Sequence, residues 1–508
     1  MTGGLIQLVA YGIEDMFITQ DPQITFFKTI YRRYTNFSTE PIAQYFTQTI
    51  DFSKKAACPI SRNADLVGQM FLVVTLPAIN FTDGVTKFAW VKKIGYALIN
   101  YIEVEIGGQS IDKHYGEWLN IWYELTQEKT NAFNSMIGNI SKLTEYSTTK
   151  DEYTLYIPLD FWFCKSYGLA LPLTSLRYSQ VNINLVLNDS IQCYTISPTN
   201  YIQIDNDLVN FISGEYIEQN INGQIASGIY SHYDIITKRL YYTPVTANLF
   251  QSLTLDTTIY NTNTLQQQQL YLPSNKSYYI TGLSSRFKAM PAANSSQLTY
   301  SYNKLTNLSI PNCYLLVEYI YLDTEERLKF AQSKHEYLIE QVTFGGQKQI
   351  ESNNRSVSIN LILPTKLLVW VLQQNYMTGT INDTFNYTDS YININGEPIG
   401  KPLAQSEYII LNGINRIDNI SSSYFNYVQS YQYFPYPAKN GINLFSFSLF
   451  PSQTLPSGSC NMNQIDTVNI QMNISNVINV SNQATFRAYG INYNVLRIVD
   501  GLGGVVFE

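Results

Sequence analysis

Short runs rich in β-branched and aromatic residues, each closed by Gly, Pro, Asn or Asp, recur along this chain in two batches. That rhythm constrains the fold more than any other feature, because runs of this length with turn residues between them are the strands of an all-β sandwich. The first batch holds DLVGQMFLVVTLP (Asp65 to Pro77), YALINYIEVEIGG (Tyr96 to Gly108), EYTLYIPL (Glu152 to Leu159) and SQVNINLVLN (Ser179 to Asn188). The second holds YLIEQVTFGG (Tyr337 to Gly346), SVSINLILP (Ser356 to Pro364), LLVWVLQQ (Leu367 to Gln374), INLFSFSLFP (Ile442 to Pro451), DTVNIQMNIS (Asp466 to Ser475) and ATFRAYGINYNVLRIV (Ala484 to Val499). With 508 residues the chain outgrows a single core, which stops near 250 to 300 residues. Two sandwiches are expected.

An internal echo supports duplication. LALPLTSLRYSQVNINLVLN leads from Leu171 and Pro172 to Val181, Asn182 and Ile183, and TLPSGSCNMNQIDTVNIQMNIS leads from Leu455 and Pro456 to Val468, Asn469 and Ile470. Between the batches, Asp323 precedes a helical pattern with Glu326 three residues on and Leu328 and Ala331 on one face, a capping arrangement that predicts a linker helix. The segment from His114 to Thr126 sets Trp118, Trp122 and Leu125 at helical spacing and predicts a helix capping one end of the first sandwich. From about Ile191 to Asn312, polar low-complexity stretches such as NTNTLQQQQ (Asn261 to Gln269) predict extended loops rather than a separate core. The expected division is an arm (1–27), a first sandwich (28–322) bearing that insertion (about 191–312), a helical linker (323–337) and a second sandwich (338–508).

Charged residues are 14% of the chain, against about 25% in ordinary soluble proteins, while 41 Tyr and 25 Phe are present. That balance suits a surface consumed by neighbours, since interface cores are poor in charge and rich in aromatics. A net charge of −7 gives no footprint for wrapping a polyanion, so direct nucleic-acid binding is not expected. The local basic group Lys28, Arg32 and Arg33 reads as a solvated or interface-paired cluster. Five scattered cysteines, Cys58, Cys164, Cys193, Cys313 and Cys460, fit reduced thiols rather than a disulfide framework or zinc site. The N-terminal stretch lacks the basic and apolar regions of a secretory signal, and the longest apolar runs fall short of the ~18 residues that span a bilayer.

Signals for chemistry are sparse. His114, His232 and His335 sit in no metal-ligand spacing, and no cofactor, metal or catalytic group is expected. Glu103 and Glu105 alternate on one strand face, the geometry a glycosidase could use, but they read as carboxylates on an outer strand face. Asn-x-Ser/Thr triplets offer candidate glycan acceptors at Asn275, Asn294, Asn382 and Asn386.

Five separated stretches resemble the major capsid proteins of nucleocytoplasmic large DNA viruses: Gly3 to Ser38, Pro158 to Leu185, Tyr319 to Val342, Phe445 to Asp466, and the ending YGINYNVLRIVDGLGGVVFE. The resemblance implies a double jelly roll, two tandem β-sandwiches with short helices and long surface loops, and a non-enzymatic shell role. It implies a homotrimer forming a pseudo-hexagonal capsomer that meets neighbouring capsomers, minor capsid and penton proteins. It further implies an arm on the inner side near an internal viral membrane, location in the virion, and assembly in the host cytoplasm. The alternatives are a transient assembly scaffold of the same fold and a carbohydrate-binding jelly roll, which would need an aromatic-lined pocket with paired carboxylates.

Overall fold

The computed structural model describes the chain apart from residues 1–2, 11, 13–14, 16–18, 82–87, 197–199, 207, 212–214, 222, 235–237, 247, 253–278, 293–307, 353, 376–382, 390–392, 395–396, 399, 480–482 and 508. Strands account for 46% and helices for 16% of the structure, so the chain is all-β.

Eight strands build the first sandwich: β1 Phe37–Tyr45, β2 Lys55–Pro59, β3 Leu66–Leu76, β4 Ile99–Ile106, β5 Gln109–Tyr115, β6 Tyr153–Pro158, β7 Val181–Leu187 and β8 Asn312–Leu322. They pair in the orders β1-β8-β3-β6 and β2-β7-β4-β5. Eight more build the second: β9 His335–Ile350, β10 Asn354–Ile359, β11 Pro364–Gln374, β12 Ala404–Leu411, β13 Ile414–Asn415, β14 Ile442–Ser446, β15 Val468–Ile474 and β16 Ala484–Val499. Their orders are β9-β16-β11-β14 and β10-β15-β12-β13. Adding eight to every strand of the first sandwich gives the second, and each is a jelly roll. The strand halves of the sequence echo, Val181 to Ile183 in β7 and Val468 to Ile470 in β15, occupy the same place in the two rolls. Its first halves do not correspond: Leu171–Pro172 pairs with the start of β3, but Cys460–Asn461 rather than Leu455–Pro456 pairs with the start of β11.

Alternation explains why these segments are strands. In β15 the residues Val468, Ile470, Met472 and Ile474 are buried while those between them are not, the pattern of a pleated sheet with one face inward. The second roll's interior gathers Leu368, Trp370, Leu372, Phe445, Phe486 and Met472. The other face of the same β11 strand, Leu367, Val369 and Val371, joins the first roll's cluster instead.

Four helices matter here: α1 Gly3–Val9, α2 Gly116–Thr126, α3 Thr324–Gln332 and α4 Gln429–Tyr433, the last continuing the wide turn Tyr424–Val428. α2 does not cap an end of the sandwich; it lies between the two rolls. Leu119, Ile121, Tyr123 and Leu125 are buried as well as Trp118 and Trp122, and so are Asn120 and Glu124, so the helix is buried nearly all round. It starts at Gly116, where the carbonyls of Tyr96 and Ile99 leave no room for a Cβ. α3 links the rolls, but Asp323 accepts from the Thr324 N–H at 2.7 Å rather than from Glu326. Its packing residue is Phe330, against Leu66, Ala170 and Ile320, while Leu328 is exposed.

The insertion before β8 also departs from the expected loops. Its described residues form a six-stranded sheet, in the order Asn200–Gln203, Arg239–Pro244, Gln224–Asp234, Tyr216–Ile221, Ile280–Gly282, Lys288–Ala289. A separate cluster of Ile202, Ile217, Tyr230, Leu240, Tyr242 and Ile280 holds it. The alternating burial of Tyr216–Ile221 is regular, but Glu218 and Asn220 on its outward positions, with a buried Gln219 between them, hid the strand among polar neighbours. The low-complexity run Asn261 to Gln269 lies outside the described residues.

Candidate assembly surfaces and the seam between the rolls

The seam is built from α2. Trp118 lies 5.6 Å from Tyr489 and Trp122 lies 5.9 Å from Phe434, both on the second roll, and Tyr115 meets Phe344 at 5.2 Å. Glu117 takes a bidentate pair from Arg487, at 2.6 and 2.7 Å, and a third bond from the Tyr489 hydroxyl at 2.7 Å. The Val342 N–H donates to Asp112 at 2.9 Å, and the Gln341 side chain donates to the Ile111 carbonyl. A two-pronged contact of this kind fixes orientation as well as distance.

Two buried charge groups reinforce it. Glu124 of α2 pairs with Lys93, with Lys129 at 2.7 Å and with Lys439 of the second roll at 3.3 Å. Burial works to raise the Glu124 carboxyl, yet the three lysines hold it well below the usual carboxylate range. Burial lowers Lys93 to about 8 against the pull of Glu124. Glu340 of β9 pairs with Lys165 of the first roll at 2.9 Å and with Lys366, which burial lowers to about 8. A separate carboxyl, Glu407 in the second roll's interior, accepts from Trp370 at 3.2 Å and Asn443 at 3.0 Å. Burial pushes it up to about 7. None of these groups was legible from the sequence, where isolated Lys and Glu residues resemble any solvated charge; Glu124 alone gave a hint, by sitting directly between Tyr123 and Leu125 in a largely apolar helix.

A long apolar exposure runs through the arm and the residues just after it. Leu5, Ile6, Leu8 and Val9 of α1 face solvent, as do Phe26, Phe27, Ile30, Tyr31 and Tyr34, with Phe27 98% exposed. Lys28, Arg32 and Arg33 are exposed among them.

The sequence's chemical candidates do not converge. Glu103 and Glu105 are bound to Ser110, Asn182 and Asn184 on the β4-β5-β7 face. The cleft of about 770 Å³ along the seam, lined by Phe71, Trp122, Phe133 and Leu455, brings in Asp160 instead. His114 pairs with Asp112 at 3.0 Å, His335 lies 2.7 Å from the Phe330 carbonyl, and His232 lies on the insertion strand Gln224–Asp234. The five thiols are unpaired, and burial raises each of them. Among the described residues no cluster of His, Cys, Asp and Glu could hold a metal, and no helix is long and apolar enough to cross a membrane. Asn386 is only 5% exposed and its side-chain oxygen accepts from the Thr388 N–H and hydroxyl, so the fold withdraws this candidate glycan acceptor from solvent. Asn275, Asn294 and Asn382 lie outside the described residues.

Two family models match the chain: the N-terminus of the major capsid protein over residues 25–211, and the large eukaryotic DNA virus major capsid protein over residues 326–504. The chain belongs to this family. Over its full length it is 39% identical to a probable capsid protein of Acanthamoeba polyphaga mimivirus, covering 99% of that protein. It is 30% identical to the major capsid protein of Phaeocystis pouchetii virus, covering all of both chains. In fold it matches the Faustovirus major capsid protein with a TM-score of 0.65 at 12% identity, over 96% of this chain and 94% of that one. Family members are structural proteins of virus shells, and that is the role of this chain. The resemblance read from the five sequence stretches and the double jelly roll it implied are both correct.

Proposed function

We propose that three copies of the chain form a pseudo-hexagonal capsomer that tiles the icosahedral shell of a large DNA virus. The observation that carries this reading is the repeated strand order, 1-8-3-6 with 2-7-4-5 in both rolls, locked into one body by α2 and its ion pairs. Two similar rolls per chain, taken three times around a closed axis, present six similar edges, so one gene product fills a hexagonal lattice position. The mechanism is burial of apolar and aromatic surface, with no turnover.

The finer assignments belong to the same proposal. The arm (1–27), with its exposed apolar side chains, sits on the inner side and meets minor capsid proteins or the internal membrane; the rolls (28–322 and 338–508) form the wall, and the linker (323–337) joins them. Neighbouring capsomers and penton proteins are the other partners, and assembly takes place in the host cytoplasm. A net charge of −7 fits a shell that does not grip the genome directly.

Light scattering during gel filtration tests the reading. A stable species near three times the chain's 58.1 kDa is expected; a monomer at every concentration would overturn it. Recovery of the protein in purified mature particles separates the shell role from a transient scaffold.

A further inference from the structure

Within one chain, the outer face of the second roll's β9-β16-β11-β14 sheet is covered. A row across it runs Phe344, Tyr489, Val369, Leu444, and the first roll's Tyr115 and Trp118 lie on its first two members. The matching row of the first roll, across β1-β8-β3-β6, runs Tyr45, Tyr314, Val73, Tyr156. Its first two rings meet at 5.7 Å as Phe344 and Tyr489 meet at 5.4 Å, and valine holds the third place in both. Here the two ends of the row are open: Tyr45 is 67% and Tyr156 41% exposed, while Tyr314 is half-buried and Val73 lies buried between the rings. Leu316 and Phe71, one pleat along, are only partly covered.

The helices show the reciprocal asymmetry. α2 lies between β5 and β6 of the first roll, and the Tyr424–Tyr433 helical segment lies between β13 and β14, the same place in the second. α2 sends Trp118 and Trp122, four residues apart, into the seam. The second-roll segment sends Tyr427 and Tyr431, also four apart, and Val428 into solvent, with Tyr431 84% exposed. One chain therefore carries one made contact, plus the two unmade halves of a second contact of the same kind.

We propose that the open face of the first roll, Tyr45, Tyr314 and Tyr156, is the docking surface for the Tyr427, Val428 and Tyr431 face of another copy of this chain. The inference rests on the capsomer reading and adds which surfaces make it. The contact repeats between chains the seam that α2 makes within one. It joins two different surfaces, so it is heterologous, and a ring of such contacts closes when six rolls surround one axis. Exposed aromatic side chains are the residues that carry the energy of such contacts.

The test uses the full chain with Tyr431→Glu and, separately, Tyr45→Glu, followed by light scattering across a dilution series. Both side chains are exposed, so each variant monomer keeps the wild-type far-ultraviolet spectrum and unfolding temperature. Each raises the concentration at which the trimer dissociates by roughly 30-fold or more, and Tyr431→Phe, which keeps the ring, leaves it within about threefold. Trimers of both Glu variants that persist over the wild-type range would overturn this surface and leave the capsomer reading standing. A wild-type protein that is monomeric throughout removes the capsomer reading, and this surface falls with it.

Discussion

In the second roll the residues 475–483 carry the chain from β15 to β16; in the first, residues 188–311 separate the matching strands β7 and β8. Both rolls close with the same strand order, so this connection does not decide whether a sandwich forms. Closing a longer loop costs little, because the entropy grows only with the logarithm of its length, and the insertion holds itself together through its own cluster around Ile217 and Tyr230. The second contrast lies in the helices before β6 and β14. α2 is buried along most of its length, whereas Tyr431 is 84% exposed and Tyr427 and Val428 are exposed beside it. The same topology thus supports opposite surface chemistry: one helix is a structural wedge, and its counterpart is left for a partner.

The sharpest way to break that comparison is to truncate both helices at matching places. Trp118→Ala empties the seam of a fully buried indole and is expected to cost about 3 to 5 kcal/mol in urea unfolding. Tyr431→Ala should leave the isolated monomer within about 0.5 kcal/mol of wild type. Equal losses would mean that the two helices are not counterparts.

Next in size, Glu124→Gln leaves buried Lys93 without its carboxylate, with only the neutral Asn120 oxygen beside it, and the cost of an unpaired buried charge is about 3 kcal/mol or more. The double variant with Lys93→Met should recover most of it, which denaturant midpoints would show.

Glu407 sharpens the contrast between paired and unpaired buried charge. Burial raises its carboxyl from 4.5 to about 7, so the folded state keeps a proton that the unfolded state has lost. Stability from this group is full below about pH 4.5 and declines as pH climbs through about 7, by about 3 kcal/mol in all. Glu407→Gln should flatten that fall when unfolding is compared at pH 4.5 and 8. A wild-type curve already flat across this window would refute the assignment.

The smallest effect belongs to the exposed pair of Arg497 and Glu336 on the β9-β16 ladder, 2.8 Å apart. Arg497→Ala should change stability by less than about 0.5 kcal/mol, and double-mutant analysis with Glu336→Ala would measure the coupling.

The sandwich strands were readable because each carries its own evidence. Val468 to Ile474 alternates cleanly, and the echo of Val181 to Ile183 in Val468 to Ile470 marks the duplication. Placement was harder to read. The sequence from His114 to Thr126 shows a helix, yet what covers its Glu117, Trp118 and Trp122 side is Arg487, Tyr489 and Phe434 of the second roll, some 310 to 370 residues away. The insertion's strands were missed because Glu218 and Asn220 break the apolar signal that neighbouring strands supply. Buried charge was missed for the same reason: Glu124, Glu340 and Glu407 acquire their meaning from Lys439, Lys165 and Trp370, which are distant in sequence.

The linker helix α3 spans only Thr324–Gln332, but it settles a matter of supply. Two rolls made as separate proteins would have to be synthesised in matched amounts, and any surplus of one would pair with itself. Joined through nine helical residues, they are delivered at a fixed one-to-one ratio whatever the rate of translation. Each also meets the other at the millimolar effective concentration that a short tether provides.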